Sequence, residues 1–151
     1  MSKIKEPPVI GGIRFGMDFE GDIPCLRIDI IISSPNKPLI TPIKLSKVLI
    51  DTGSDYTLIP VEIIKKLKLE PTEGEFEIFG FDDSSTLVKF YEGKVKIEGI
   101  IETELLMGGI ETGEPLIGMD LLCYLHLLKN SPKGSFEIVS KENYIHPPKK
   151  K

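Results

Sequence analysis

The chain has 151 residues, 40% hydrophobic and 28% charged, with a formal charge of −4. That length fits one domain that buries about two thirds of its unfolded surface. The composition excludes a disordered chain, the acidic balance argues against a nucleic-acid binder, and no apolar run approaches the roughly 20 residues of a membrane helix.

The N-terminal segment MSKIKEPPVIGG lacks the apolar core of a signal peptide, so the expected location is cytoplasmic. Cys25 and Cys123 stand too far apart for a metal cluster and are read as buried thiols. His126 and His146 have no metal-ligand spacing, so neither a metal nor a cofactor is expected. Alanine, glutamine and tryptophan are absent while isoleucine occurs 22 times. That bias favours strands over helices.

Residues 1–21 read as an N-terminal arm, 22–140 as the folded domain, and 141–151 as a disordered basic tail. In Cys25–Ile32, apolar Leu26, Ile28 and Ile30 alternate with Arg27 and Asp29, the period of a strand with one buried face. Three prolines make 33–42 a loop. A second strand, Ile43–Ile50, ends in the apolar run Val48-Leu49-Ile50. Residues 60–69 read as a short helix, with Pro60 at its start and lysines toward its end. Glu75–Phe79 and Thr86–Tyr91 form a long hairpin whose polar tip spans Gly80–Ser85. Strands over 94–100 and 102–107 surround Gly99. A second helix is expected over Met119–Lys129 and a last strand over Ser135–Val139.

One motif carries chemistry: Asp51-Thr52-Gly53-Ser54-Asp55, directly after the buried run of the second strand. Alone it reads equally as a strand followed by an Asx-type turn. Its context adds Leu58-Ile59 after it, then a helix, a polar-tipped hairpin and a late Leu116-Ile117-Gly118.

With these pieces in this order, the chain resembles the retropepsin-like aspartic proteases over roughly residues 22–140. It is closer to the small prokaryotic members than to the viral ones. The resemblance implies a mainly β, single-domain closed barrel of the acid protease fold with two short helices. It implies an aspartic endopeptidase in which Asp51 is catalytic. Thr52, Gly53 and Ser54 would support that loop: the Thr52 hydroxyl across a dimer, the Gly53 backbone against substrate, and the Ser54 hydroxyl donating to the Asp51 carboxylate. Asp55 matches a substrate-contacting aspartate, although the arginine that pairs with it in viral members is Met119 here. Phe79, Gly80, Phe81 and Asp82 fall in the flap and would contact substrate. Leu116, Ile117 and Gly118 would back the catalytic loop.

Hydrolysis of an amide by a carboxylate pair needs one ionised group to activate water and one protonated group to polarise the carbonyl. Two carboxylates about 3 Å apart share a single proton. The chain holds one such motif, so a pair requires two copies about a twofold axis. The expected partners are a second copy, in an obligate homodimer, and a peptide or protein substrate, with no nucleic acid and no membrane. Phe136–Val139 and the N-terminal arm are the strands expected to form the interface sheet. Two other readings stay open: a catalytically silent module that dimerises or binds peptides on the same fold, and a ligand-binding barrel in which Asp51 is structural.

Overall fold

The computed structural model describes residues 13–20, 23–79, 85–130 and 134–140. The class is mainly β with two short helices. Strands β1 (Ile13–Gly16), β2 (Asp18–Glu20), β3 (Ile23–Cys25), β4 (Arg27–Ser33), β5 (Ile43–Ile50) and β6 (Leu58–Pro60) lead into helix α1 (Val61–Leu67). Strands β7 (Glu70–Phe79), β8 (Ser85–Ile97), β9 (Ile101–Ile110) and β10 (Leu116–Ile117) precede helix α2 (Met119–Leu122). Strands β11 (Leu125–Asn130) and β12 (Ser135–Ser140) end the described chain.

The main sheet runs β4-β5-β10-β6-β9-β8-β7. Strand β4 also pairs with β8, placing Ile31 opposite Lys96 and Ile32 opposite Val95. The circuit from β4 through β5, β10, β6 and β9 to β8 therefore returns on itself. It encloses Ile28, Ile30, Ile32, Val48, Val95 and Ile117, all buried. Alternation explains β4: its even-numbered isoleucines point inward while Arg27 and Asp29 point out. Burying one isoleucine contributes about 2 kcal/mol, so this inner face dominates the stability of the circuit.

Strand β5 is bulged opposite β4. Between the pairs Ile28–Val48 and Ile30–Leu45, the single Asp29 faces both Ser46 and Lys47. Lys47 takes the left-handed conformation, φ 57°. A non-glycine residue there costs about 1–2 kcal/mol. The Asp29 carboxylate offsets that cost by accepting the Lys47 backbone N–H at 3.0 Å.

Strand β8 is longer than the alternation suggests and runs unbroken past Glu92. Its buried residues are Val88 and Phe90, then Gly93, Val95 and Ile97. The parity changes because its first half pairs with β7, beyond the circuit, and its second half enters the core. Val88 and Phe90 form a small separate apolar cluster with Leu58 over Gly108. A Cβ on Gly108 would fall 2.7 Å from Leu58 and 2.8 Å from Val88. The turn into β9 places Gly99 at φ 76°, where a side chain is disfavoured.

The structure corrects three expectations. The second helix stops at Leu122, and Leu125–Asn130 is the strand β11. The leucines at 121, 122, 125 and 128 fit a helical period, but those at 125 and 127 also fit a strand. Pairing along β12, from Leu125 opposite Ser140 to Asn130 opposite Ser135, decides for the strand. Strand β12 itself is no edge. It lies between β1 and β11 of its own chain, with Phe136 and Ile138 fully buried. Phe136–Val139 therefore has no free edge to offer a partner's sheet. Finally, Cys123 is exposed and Cys25 half-buried, so neither is a buried thiol. Among the described residues, no helix is long and apolar enough to cross a membrane.

Candidate active site

Asp51 follows β5 directly, and its place is set by β10. That short strand inserts between β5, to which it is parallel, and β6, to which it is antiparallel. Leu116 lies opposite Leu49 and Ile117 opposite Ile50. The Asp51 N–H donates to the Ile117 carbonyl at 2.9 Å, so the strand pairing continues to the carboxylate-bearing residue itself.

Beyond Asp51 the chain turns tightly. The Ser54 N–H donates to the Asp51 carbonyl at 3.2 Å, and the Gly53 N–H donates to Asp51 Oδ1 at 2.9 Å. This is the Asx-type turn expected of the motif. It orients the carboxylate and leaves Oδ2 with no hydrogen-bond partner among the described residues. Thr52 and Gly53 are exposed, and Asp51 is half-buried.

The Ser54 hydroxyl differs from its expected role. It donates to the Tyr56 carbonyl at 2.8 Å. A hydroxyl has one proton, so Ser54 supports the turn and does not donate to Asp51. The N–H that does so is that of Gly53.

Two residues outside the motif hold the loop, and the motif-centred reading missed both. Thr57 is fully buried. Its N–H donates to Asp120 Oδ2 at 2.9 Å and its hydroxyl to Asp120 Oδ1 at 2.7 Å. The same hydroxyl accepts the Gly118 N–H at 3.2 Å. Asp120 Oδ1 also accepts the Leu121 N–H at 2.9 Å. Hydrogen bonds to a charged group are worth about 1.5–3 kcal/mol each, so this carboxylate is the strongest local tie. Main-chain bonds run alongside it, from the Met119 N–H to the Ser54 carbonyl at 2.7 Å and from the Asp120 N–H to the Asp55 carbonyl at 3.1 Å. A sequence signal existed in the acidic residue two positions after Gly118, but its partner Thr57 lies 63 residues away.

Gly118 is required here by space. A Cβ at this position would sit 2.4 Å from the Tyr56 carbonyl oxygen and 2.8 Å from that of Ser54, both backbone atoms. Tyr56 is exposed on its outer side and meets Phe90 edge-on, with ring centroids 4.9 Å apart. The loop thus rests on the base of the β7–β8 hairpin.

The structure brings Asp51, Thr52, Gly53, Ser54, Leu116, Ile117 and Gly118 into one locality. Asp55 is exposed, and its carboxylate has no ion pair among the described residues. Its carbonyl is the part that is used. Phe79 ends β7, paired with Ser85. Gly80, Phe81 and Asp82 lie outside the described residues. No group of three or more metal-ligating side chains occurs among the described residues.

No family profile matches the chain and no curated relative matches it. Among solved structures, the chain is similar to the EIAV protease in complex with the inhibitor HBY-793. That match has 20% identity and a TM-score of 0.48, and covers 70% of this chain and 92% of that one. It is also similar to a retropepsin-like aspartic protease from Rickettsia conorii, with 19% identity and a TM-score of 0.47. There the match covers 91% of this chain and 96% of the other.

Proposed function

We propose that this protein is an aspartic endopeptidase that works as a homodimer, with Asp51 from each chain forming the catalytic pair. The observation that carries this reading is the state of Asp51. Its carboxylate ends a buried strand, is oriented through one oxygen by the Gly53 N–H, and keeps the other oxygen without a partner among the described residues. Asp120, by contrast, spends both oxygens on its own chain.

Each residue then has a role. One Asp51 carboxylate, ionised, takes a proton from water. The other, protonated, donates to the scissile carbonyl oxygen. Water attacks the carbonyl carbon to give a gem-diol; as the C–N bond breaks, the proton held by the first aspartate passes to the leaving amine and a gem-diol hydroxyl returns a proton to the second aspartate. Thr52, exposed at the turn, would bond across the twofold axis. In this reading the Gly53 backbone borders the substrate path, and Phe79, Gly80, Phe81 and Asp82 are the residues that would contact substrate as a flap. Asp55 is exposed and has no ion pair among the described residues; in this reading it would meet a basic substrate group. Leu116, Ile117 and Gly118 fix the loop from beside it.

In this reading the dimer uses a surface other than β12, which its own chain pairs on both sides. Tyr56, Met119 and Tyr124 are 42%, 40% and 51% exposed, and lie on the loop or on the α2 turn bonded to it. Large apolar groups beside a twofold site suit an isologous interface.

The test is incubation of the pure protein with a mixed peptide library, with and without pepstatin, a transition-state inhibitor. The reading expects cleavage of internal peptide bonds, suppressed by the inhibitor. A dimer that cleaves no peptide at any pH from 4 to 8 would refute it.

A further inference from the structure

We infer that Arg27 is a positioning residue for Asp51: its guanidinium holds the chain just before β10 against β5, as Asp120 holds it just after. What this does to peptide cleavage rests on the proposed protease activity; the positioning itself does not.

Strand β10 is too short to set its own register. It has two residues, with two partners on β5 and one on β6. A slip by one residue would turn Ile117 out of the core and Leu116 into it. It would also take the Ile117 carbonyl away from the Asp51 N–H. Ties outside the ladder therefore decide where the strand sits. After β10, the Asp120 carboxylate fastens the α2 turn to Thr57. Before β10 the chain arrives through the exposed segment 111–114. There Glu114 Oε2 accepts a hydrogen bond from Arg27 Nη2 at 3.2 Å.

The register explains why these two residues meet. Arg27 of β4 is opposite Leu49 of β5, and Leu49 is opposite Leu116 of β10. Opposite residues share a face, so the three side chains form one row on the outside of the circuit. Continuing the β5–β10 register two residues back sets Glu114 beside Lys47. The guanidinium spans both residues: Nη1 donates to the Lys47 carbonyl at 3.1 Å while Nη2 donates to Glu114.

The bulge in β5 anchors that fork. Lys47 turns its N–H to Asp29 and its carbonyl to Arg27, both of them side chains of β4. The Arg27 side chain is 14% exposed and that of Glu114 is 66% exposed. One partner is thus fixed in the fold and carries the other. Such a pair is screened less, and costs less side-chain entropy, than a pair of two free surface chains. Arginine presents its donors in a rigid fork, whereas lysine is a point charge on a flexible stem.

The test is amide hydrogen exchange followed by NMR on the full chain. It is read at the Asp51 N–H, with the Thr57 N–H as the internal reference. Thr57 belongs to the Asp120 tie, so a general loss of stability speeds both amides, whereas release of β10 from β5 speeds Asp51 alone. In Arg27→Ala the Asp51 N–H should exchange about tenfold faster, with Thr57 changed less than about twofold. Glu114→Ala, at an exposed position, should show the same pattern. The double variant should add nothing to Arg27→Ala, because the two residues act through one contact. On a cleaved peptide, kcat should fall about tenfold in Arg27→Ala while KM changes less than about twofold, the mark of a misplaced reacting group. Arg27→Lys should recover little of either loss. The inference is overturned by wild-type exchange at Asp51 in the variants, by equal acceleration of Thr57, by additive effects in the double variant, or by full recovery with lysine. A chain that cleaves no peptide but shows the exchange pattern would sink the protease reading and leave the positioning standing.

Discussion

Midway along β5 the Asp29 carboxylate of the neighbouring strand accepts the Lys47 N–H at 3.0 Å; just past the end of β5 the Asp51 carboxylate accepts the Gly53 N–H at 2.9 Å. Both carboxylates accept a backbone N–H, one across strands and one within its own turn. The surroundings differ. The second oxygen of Asp29 faces the Lys44 ammonium at 3.5 Å. The second oxygen of Asp51 meets no cation among the described residues. Asp29 is neutralised in place and pins a bulge, whereas Asp51 is oriented and left available. Availability, not the hydrogen bond, separates a chemical carboxylate from a structural one.

The largest expected effect breaks the comparison at Asp51. Asp51→Asn retains the turn acceptor but removes the base. Peptide cleavage should fall at least a hundredfold, in keeping with loss of a positioned acid–base group. Thermal unfolding should move by less than about 2 °C, since the side-chain oxygen can still accept the Gly53 N–H.

Asp120 should show the opposite pattern. Asp120→Ala leaves the buried Thr57 hydroxyl and N–H without their acceptor. Urea unfolding should show a loss of about 3 kcal/mol, the scale of stranded buried donors. Activity measured well below the new midpoint should fall less than in Asp51→Asn.

How far these roles were legible in the sequence differs between the two aspartates. Asp51 announces itself because its markers are local, an apolar strand before it and turn residues after it, even though β10 fixes its final place. Strands β4 and β5 were legible for the same reason, through the alternation of Leu26–Ile32 and the apolar run Val48–Ile50, whereas the closure of the circuit was expected only from the family resemblance and rests on the distant β4–β8 pairing. Asp120 was silent because its function is a contact with Thr57, and only the threading of β10 between β5 and β6 brings the two together. The misread helix over Met119–Lys129 has the same origin. A period that fits two structures was decided by β12, a distant strand. The bulge at Lys47 left no turn residue to mark it, since a lysine occupies the left-handed position.

Ser54 sharpens the comparison at smaller scale. Its hydroxyl supports the Tyr56 carbonyl and not Asp51. Ser54→Ala should therefore cost about 1 kcal/mol of stability and leave the pH profile of kcat/KM where it is. A profile moved toward neutral pH would restore the hydroxyl to the carboxylate and contradict this assignment.

The smallest effect lies at Asp29. The Lys47 N–H holds this carboxyl below its ordinary value of 3.8; burial opposes it, and the charges of Lys44 and Lys47 add to the lowering. A depressed folded-state pKa contributes stability above the unfolded value, and that stability is lost as pH falls through the folded one. Asp29→Asn should thus melt slightly below the wild type at pH 7, with the gap closing under pH 4. A gap that persists unchanged in acid would show that the charge of Asp29 is not its source.

The most direct test of the shared pair is subunit mixing. Wild-type chain and Asp51→Asn chain are combined at constant total concentration, exchanged to equilibrium, and assayed for peptide cleavage. If each site takes one Asp51 from each of two chains, activity follows the square of the wild-type fraction, and an equal mixture retains about one quarter. Activity proportional to the wild-type fraction, with half remaining in that mixture, would mean that one chain acts alone and would contradict the account.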